Sequence, residues 1–387
     1  MCVGGQIGFV LFTSPEAAKP HQKEYRILNP MTRRNFVTTA LAAAAAAAAA
    51  TPRRWRLGLN TYCLRFQRWN DRQLIDYCVK QKMDAMFLQD SLDPDVMEPK
   101  HWADVRAWVK DANLHIETGG SPLLPKSEAA YPQKIAELRK HIERAHAMGS
   151  PIVRTLLAGD RYSMPDDGPV ERHVETALRI LRELRSQAMD AGLKIAIENH
   201  KDLNAWQTRE LIQTAGKEFV GSYLDTGNPV FVAEHPLTTV EELGPYAVCF
   251  HLRDSVVYEV PGGVAVKWVP LGEGTVDFKA LVARAAEILP DVYIYCKPIT
   301  ARPPVTIPVY TDEFWVKWFP RGRSRDLSRF LALAKTGKPY DKPEVAEDAP
   351  GQSQKYMEAL KLQQLDHMER SLAYCKGPLD LGVEWRS

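Results

Sequence analysis

The sequence predicts an α/β protein, a closed (β/α)8 (TIM) barrel with a C-terminal helical extension, on three observations. Eight short runs of aliphatic, β-branched or aromatic residues alternate with longer segments of helical periodicity, which is typical of βα units around a parallel sheet. From the first run to the last, the chain is similar in length to the ~250 residues of an ordinary barrel. No Gly-rich phosphate-binding turn follows the first run, whereas an open doubly wound sheet usually has one.

Residues 1–50 precede the barrel and are interpreted as an N-terminal extension with an export signal. Arg33 and Arg34 stand shortly before the alanine run Ala42–Ala50, and a charged start before a weakly apolar run is typical of a twin-arginine-type signal. Met31 is the more natural start of that signal. No later run approaches the ~18 apolar residues of a membrane span. We therefore expect a periplasmic or otherwise extracytoplasmic protein with no membrane contact after signal removal.

The barrel elements follow in order over residues 51–336. The predicted strands are Leu57–Cys63, Ala85–Gln89, Leu114–Thr118, Ile152–Leu157, Lys194–Asn199, Gly221–Asp225, Ala247–Leu252 and Val292–Cys296. Apolar residues spaced three and four apart predict helices between them, among others Pro132–Met148, Val170–Ala191, Asn204–Ala215 and Asp277–Leu289. Gly149 and Gly192 stand where helix C-termini favour glycine, and Asp277 is a candidate N-cap.

The tail is divided by its composition. Pro298–Pro308 is too rich in proline for a helix and could form a wall over the site, and Asp312–Lys335 predicts a helix. Residues 337–387 hold a linker at Gly337–Gly351 and an amphipathic helix at Ser353–Cys375, and we expect the tail to cover one face of the barrel or to contact a partner subunit.

Charge and cysteine content limit the function classes. The 387 residues hold 50 Lys and Arg against 48 Asp and Glu, and residues 1–50 hold five against two, which leaves 45 against 46 beyond them. A near-neutral domain does not favour a nucleic-acid or anionic-membrane partner. The six cysteines include no CxxC pair, so neither a disulfide framework nor a structural zinc site is expected. Neutral small molecules fit this composition better.

Polar residues directly follow three consecutive strands. Strand five ends in Glu198-Asn199-His200, strand six in Asp225-Thr226-Gly227-Asn228 and strand seven in His251-Leu252-Arg253-Asp254. Active-site residues of TIM barrels lie at the C-terminal ends of the strands, so we expect Glu198, Asp225 and His251 to lie close together there. Two carboxylates and an imidazole suit a divalent cation such as Mn²⁺, Mg²⁺, Co²⁺ or Zn²⁺.

These segments, with Pro270–Phe278, resemble the xylose isomerase-like sugar phosphate isomerase/epimerase superfamily over approximately residues 56–336. The resemblance implies Glu198, Asp225 and His251 as metal ligands, with Mn²⁺ as the expected metal. It also implies that Glu198 exchanges a proton with the carbon beside the substrate carbonyl. In such relatives a strand-eight Glu is the fourth ligand.

Two residues depart from that pattern. Lys297 stands where the fourth ligand, a Glu, is expected, and a lysine ammonium cannot bind a metal. Three hypotheses remain open: Lys297 is a fixed cation that replaces the metal, it is a base or Schiff-base residue, or it points outward. Asn228 stands where several epimerases carry His. The contacts that those epimerases make with their substrate are therefore less expected here.

Other strand-end residues are candidates for contacts with a sugar, which needs many hydrogen-bonding partners. They are Asn60, Tyr62, Glu117, Arg154, His200, Asn228, Arg253 and Asp254. Among these we expect an ion pair between Glu117 and Arg154 and another between Arg253 and Asp254. Asp254 could also orient His251.

The leading hypothesis is an exported isomerase or epimerase of a neutral sugar, keto-sugar or polyol, with Glu198 and Lys297 as catalytic residues and a divalent metal as cofactor. The alternatives are a lyase or dehydratase of an oxidised sugar or inositol, and a barrel that binds sugar without turnover. A metal-dependent phosphodiesterase is disfavoured by charge and by the shortage of His and Asp ligands. The expected partner is a small carbohydrate, and the interpretation allows for a homo-oligomer.

Overall fold

The computed structural model describes residues 54–89, 91–164, 169–346 and 351–387, and the predicted export signal lies outside these ranges. Residues 53–387 form one compact unit. Its strands are β1 Leu57–Asn60, β2 Ala85–Leu88, β3 His115–Thr118, β4 Ile152–Thr155, β5 Lys194–Glu198, β6 Val220–Asp225, β7 Ala247–Leu252, β8 Asp254–Val260, β9 Gly263–Val269, β10 Ile294–Cys296 and β11 Val305–Ile307.

Eight of these strands close the predicted barrel. Their order around it is β1, β10, β7, β6, β5, β4, β3, β2, and every neighbouring pair is parallel. The eight predicted strands are confirmed, with ends shifted by up to three residues. The largest change is in β1, because Thr61–Gln67 forms a 3₁₀ helix that the Asn60 side chain caps.

Within the described ranges, nine α-helices surround the barrel and extend it. They are α1 Asp71–Lys80, α2 Pro99–Asp111, α3 Tyr131–Met148, α4 Val170–Asp190, α5 Ala205–Ala215, α6 Pro236–Leu243, α7 Phe278–Ile288, α8 Ser324–Thr336 and α9 Gln354–Lys376. The four helices named from periodicity are confirmed to within one residue at each end. Asp277 caps α7 through the Ala280 amide at 3.1 Å, as predicted, and Gly149 ends α3 with a φ of 82°.

A three-stranded antiparallel sheet of order β11, β9, β8 stands beside the carboxyl ends of the barrel strands. β8 and β9 are joined by Pro261 and Gly262, and Gly262 has a φ of 88° that only glycine adopts readily. This hairpin was not predicted from the sequence. β11 comes from the predicted Pro-rich wall.

The C-terminal region differs from prediction in one segment. Phe314–Trp318 forms a short π-helix and α8 begins only at Ser324, so the predicted helix Asp312–Lys335 is two pieces. Pro320 and Gly322 separate them, since both residues interrupt helices. The last helix, α9, packs against the barrel: Met368 is in one apolar cluster with Leu59 of β1.

The five described cysteines are all buried and free, in keeping with the absence of a predicted disulfide framework. Within the described ranges, no helix has the length and apolar content that crossing a membrane requires.

Candidate active site

Two carboxylates lie side by side at the carboxyl ends of adjacent strands. Glu198 ends β5 and Asp225 ends β6, and both are buried. Lys297, directly after β10, lies between them, with Nζ 3.0 Å from Glu198 Oε1 and 3.1 Å from Asp225 Oδ2. The hypothesis that Lys297 points outward is therefore wrong. Its contacts with both carboxylates favour the hypothesis of a fixed cation over that of a base or Schiff-base residue.

Two arginines complete this ion cluster. Arg253 Nη2 donates to Asp225 Oδ2 at 2.6 Å, and Arg154 Nε donates to Glu198 Oε2 at 2.6 Å. Burial alone would raise the pKa of Glu198, but Arg154 and Lys297 hold it well below its usual range. Three cations thus face two carboxylates, and the cluster carries an excess positive charge.

The predicted ion pairs of Arg154 with Glu117 and of Arg253 with Asp254 are wrong. The free carboxylates at the ends of β5 and β6 attract both guanidinium groups instead. Asp254 accepts the backbone amides of Gly272 and Gly274, each at 2.9 Å, and so holds the loop after β9 rather than orienting His251.

Backbone and amide groups fix the carboxylates in place. Asp225 Oδ1 accepts the amides of Gly227 at 2.8 Å and Asn228 at 3.2 Å. The Asn228 side chain donates to Glu198 Oε1 at 3.0 Å, so it positions the cluster rather than gripping a substrate. A Cβ on Gly227 would lie 2.4 Å from Cδ of Arg253, so this close approach requires glycine.

His251 does not join Glu198 and Asp225. Its ring stacks between Tyr223 at 3.9 Å and Tyr295 at 4.6 Å, centroid to centroid, inside the barrel. Among the described residues, the groups of three side chains placed to share a metal ion are Glu117, Cys249 and His251, and Asp71, Asp93 and His101. The predicted ligand set of Glu198, Asp225 and His251 is therefore not assembled.

The donor set at the carboxylate pair also does not fit a divalent cation. Each of the four carboxylate oxygens already accepts a hydrogen bond or ion pair from Lys297, a guanidinium group or an amide. A divalent ion placed there would meet three fixed positive charges and no vacant ligand oxygen.

A cavity of about 460 Å³ opens above the cluster. It is lined by Tyr62, Gln89, Arg154, His200, Lys201, Phe231, Arg253, Lys267, Trp268, Lys297, Ile299, Arg302, Pro303 and Val305. The three cations of the cluster face this cavity, while Glu198 and Asp225 lie beneath them. A bound molecule would meet the cations first.

His200 is the titratable cavity residue with a defined tautomer. Its Nδ1 contacts the backbone carbonyl of Gly159, which can only accept, so Nδ1 carries the proton and Nε2 carries the lone pair. Burial lowers the pKa of His200 below its ordinary value, although Glu198 and Asp202 oppose that shift. The imidazole is consequently neutral at neutral pH and able to accept a proton.

The remaining predicted residues divide between the cavity and other places. Tyr62 lines the cavity, and the buried Asn60 donates to the Tyr223 hydroxyl at 3.2 Å below it. Glu117 is not in this cavity: it lines another one at the opposite mouth of the barrel and contacts Nε2 of His115 at 3.3 Å. Glu117 is the third residue of a short strand, too early in β3 to reach the carboxyl-end cavity.

Several cavity residues were missed by the sequence analysis because they lie on the unpredicted hairpin. Lys267 and Trp268 come from β9, and the Trp268 ring lies 4.4 Å from the Arg253 guanidinium carbon. Two alternating β-branched runs around Pro261-Gly262 are a hairpin signal that could have found them.

Comparison with known proteins places the chain. A family model described as xylose isomerase-like TIM barrel matches residues 76–306. The curated protein YihM of Escherichia coli (strain K12), described as uncharacterized, is 29% identical over 99 residues, and that match spans 26% of this chain and 30% of YihM.

Two solved structures share the fold. A xylose isomerase-like TIM barrel protein of Mycobacterium smegmatis, in complex with magnesium, is 17% identical with a TM-score of 0.52, covering 73% of this chain and 97% of its own. The 3-keto-D-glucoside 4-epimerase YcjR of E. coli is 13% identical with a TM-score of 0.52, covering 69% of this chain and all (100%) of its own. With its family model spanning more than half of the sequence, the chain belongs to the xylose isomerase-like TIM barrel family.

Proposed function

We propose that this protein is a sugar isomerase or epimerase that moves a proton beside the carbonyl of a keto-sugar, with fixed lysine and arginine cations in the role of a divalent metal. The observation that carries the proposal is Lys297, whose ammonium group bridges Glu198 and Asp225 at the floor of the cavity. The keto-sugar named in the description of the structural neighbour YcjR supports the substrate class.

In the proposed reaction the carbonyl oxygen lies against Lys297 and Arg253. Both cations polarise the carbonyl, which makes the adjacent C–H acidic, and both stabilise the negative oxygen that forms. Nε2 of His200 accepts the proton, and the C–H bonding electrons become the new C=C bond while the carbonyl π electrons move to oxygen. Return of the proton to the other face of the same carbon gives the epimer. Its delivery to the former carbonyl carbon, with the neighbouring hydroxyl proton passing to the enediolate oxygen so that a new carbonyl forms at the neighbouring carbon, gives the isomer.

Glu198 has a positioning role in this proposal. It lies beneath the cations and already accepts bonds from Arg154, Lys297 and Asn228. The pKa of both Glu198 and His200 is lowered. Both oxygens of Glu198 are already engaged, however, whereas His200 lines the cavity with a lone pair on Nε2 and is the better placed proton acceptor.

The test is a turnover assay with ketoses, 3-keto-glycosides and inosones, before and after exhaustive chelation, and after addition of Mn²⁺, Mg²⁺ or Zn²⁺. We expect chelation to leave the rate unchanged. Lys297→Met should lower kcat/KM by about 100-fold or more, as loss of an oxyanion-stabilising group does. Lys279→Met, at an exposed position of α7, is the matched control and should retain the wild-type rate.

The outcomes separate the alternatives. Activity that disappears on chelation and returns with Mn²⁺, while the melting temperature stays unchanged, would show that a metal, not Lys297, is the electrophile. Solvent deuterium incorporation without loss of water supports isomerisation, whereas release of an enone would establish the lyase reaction instead. Sugar binding without turnover of any compound would indicate a sugar-binding protein and would contradict the proposed reaction.

Export remains part of the proposal. The pattern that supports it is the Arg33-Arg34 pair ahead of the alanine run. Fractionation of cells that express the full chain should place the protein outside the cytoplasm, and Arg33→Lys with Arg34→Lys should retain it inside. An unchanged distribution in that double variant would contradict a twin-arginine route.

A further inference from the structure

A second group of side chains that could bind an ion lies inside the barrel, outside the lining of the carboxyl-end cavity. Glu117 of β3 and Cys249 and His251 of β7 are buried, with exposed fractions of 2%, 0% and 0%. Cys249 and His251 are two residues apart on one strand, so both face the interior. One ligand atom from each of the three lies within 4.8 Å of the others.

The polar atoms of this group lack the hydrogen bonds that burial normally demands. Within the described part of the chain, neither ring nitrogen of His251 has a partner, and Glu117 Oε2 has none. Nearly all buried polar atoms in proteins hydrogen-bond to protein or water, or bind an ion. We therefore expect a water molecule or an ion to lie among these three side chains. The aromatic rings of Phe87, Tyr223 and Tyr295 surround His251, and these rings provide no hydrogen-bond acceptor for its nitrogens.

We propose that Glu117, Cys249 and His251 form a binding site for a borderline divalent transition metal, with Zn²⁺ as the best match. One oxygen, one sulfur and one imidazole nitrogen are the ligand types that Zn²⁺ takes in proteins. A carboxylate and a thiolate together carry two negative charges, which a divalent cation neutralises in a buried site.

The surroundings of Glu117 fit a ligand role. Nε2 of His115 contacts Glu117 Oε1 at 3.3 Å, which orients the carboxylate. Hydrogen-bonded partners of this kind commonly hold metal ligands in place. A cavity of about 850 Å³ at the amino-end mouth is lined by His115 and Glu117, so it reaches the Glu117 side of the group.

None of the three residues lines the carboxyl-end cavity, so the site is distinct from the proposed reaction site. Burial lowers the pKa of His251, and Lys297 and Arg253 are near enough to add to that shift. The two negative charges of Glu117 and Cys249 must outweigh the repulsion by these two cations for an ion to bind. We expect the ion to tie β3 to β7 across the barrel interior and so to stabilise the closed barrel.

The test uses the full chain after chelation, titrated with Co²⁺ as a spectroscopic substitute and with Zn²⁺. The expected result is one ion per chain, a thiolate-to-cobalt charge-transfer band in the near ultraviolet, and a thermal midpoint that rises with Zn²⁺ concentration. Cys249→Ser should abolish the charge-transfer band, and Glu117→Gln should weaken Co²⁺ binding by about 10-fold or more.

Cys78→Ser is the matched control, since Cys78 is equally buried in another part of the core. It should keep the band and the stoichiometry. Metal uptake without a thiolate band would place the ion elsewhere, for example at Asp71, Asp93 and His101, and would overturn the proposal. Failure of the wild-type chain to bind either ion would overturn it as well and would mean that water fills the group.

Discussion

Lys297 illustrates how one side chain changes the chemistry of a shared fold. A cation held by two buried carboxylates cannot diffuse away or be chelated, so its charge is permanently available to a bound carbonyl. Burying such a cluster is costly, and removal of one partner leaves uncompensated charge. Each member is therefore sensitive to substitution.

The pH dependence should report His200. Because its pKa in the folded protein lies below the usual value of about 6.5, the imidazole stays unprotonated down to that lower pH. Activity should accordingly be level at neutral pH and should fall only below pH of about 6.5. The measurement is kcat/KM against pH for wild type and for His200→Gln, in which the acid limb should disappear along with most of the activity. An acid limb that persists in His200→Gln would assign it to another group.

Glu198→Gln tests the positioning role of that carboxylate. Loss of its charge leaves Arg154 and Lys297 with weaker partners, so we expect kcat/KM to fall by about 100-fold or more. The residual activity should retain the acid limb of the wild type if His200 is the base. Loss of that limb in Glu198→Gln would show that Glu198 itself takes the proton, and wild-type activity would exclude both roles.

Gly227 tests the fit between the β6 loop and Arg253. Its backbone is not in the left-handed region, so alanine adds no backbone strain there, but the new Cβ would collide with the Arg253 side chain. We expect Gly227→Ala to displace the guanidinium group and to lower kcat with a smaller change in melting temperature. Full activity in this variant would mean that Arg253 need not stay where it is.

At the scale of elements, the ends of the barrel strands were predicted well, but the strands outside the barrel were not predicted. Glu198 and Asp225 end adjacent parallel strands, so their proximity follows from apolar runs that are local in sequence. The hairpin β8–β9 was missed because it interrupts the βα alternation after β7. Its residues Lys267 and Trp268 nevertheless line the cavity, so the shape of the site depends on an insertion rather than on the barrel repeat.

Glu234 links the region after β6 to helix α5 and should make stability depend on pH. Its Oε2 accepts the amide of Ala205 at 2.9 Å, and burial raises its pKa to about 8. The protonated form therefore favours folding: this stability is fully present below pH of about 4.3 and is lost as the pH rises toward the folded value, at about 1.4 kcal/mol per pKa unit.

Glu234→Gln removes that titration. Its thermal midpoint relative to wild type should rise between pH 5 and 8, and differential scanning calorimetry across this range measures the effect. Glu175→Gln, at an exposed position of α4, should show no such trend. A pH-independent difference for Glu234→Gln would contradict a raised pKa in the folded protein.

At the scale of the whole molecule, the C-terminal extension is part of the barrel core rather than a separate appendage. Met368 of α9 is fully buried and shares an apolar cluster with strand β1. Met368→Ala should destabilise the protein by about 2–5 kcal/mol, as deletion of a buried methionine side chain does. Urea unfolding measures the change, and Leu362→Ala, at a 70% exposed position of the same helix, should stay within about 0.5 kcal/mol of wild type. Equal effects of the two variants would show that α9 is not coupled to the barrel.

The net charge of the whole molecule also does not show that the active-site cavity is positively charged. The chain is close to neutral, yet its carboxyl-end cavity is lined by six Lys and Arg side chains. A near-neutral composition does not favour a nucleic-acid partner, but it could not reveal a local concentration of positive charge.

The sequence by itself determined the barrel, its eight strands and the juxtaposition of Glu198 with Asp225, because apolar periodicity and strand-end polarity are properties of neighbouring residues. Only the tertiary structure decided that Lys297, 99 residues from Glu198, lies between the two carboxylates. It alone also placed His251 beside Cys249 and Glu117. Which side chains pair in a buried cluster depends on which residues, distant in sequence, pack together and balance one another's charge. A local sequence pattern holds no information about that packing.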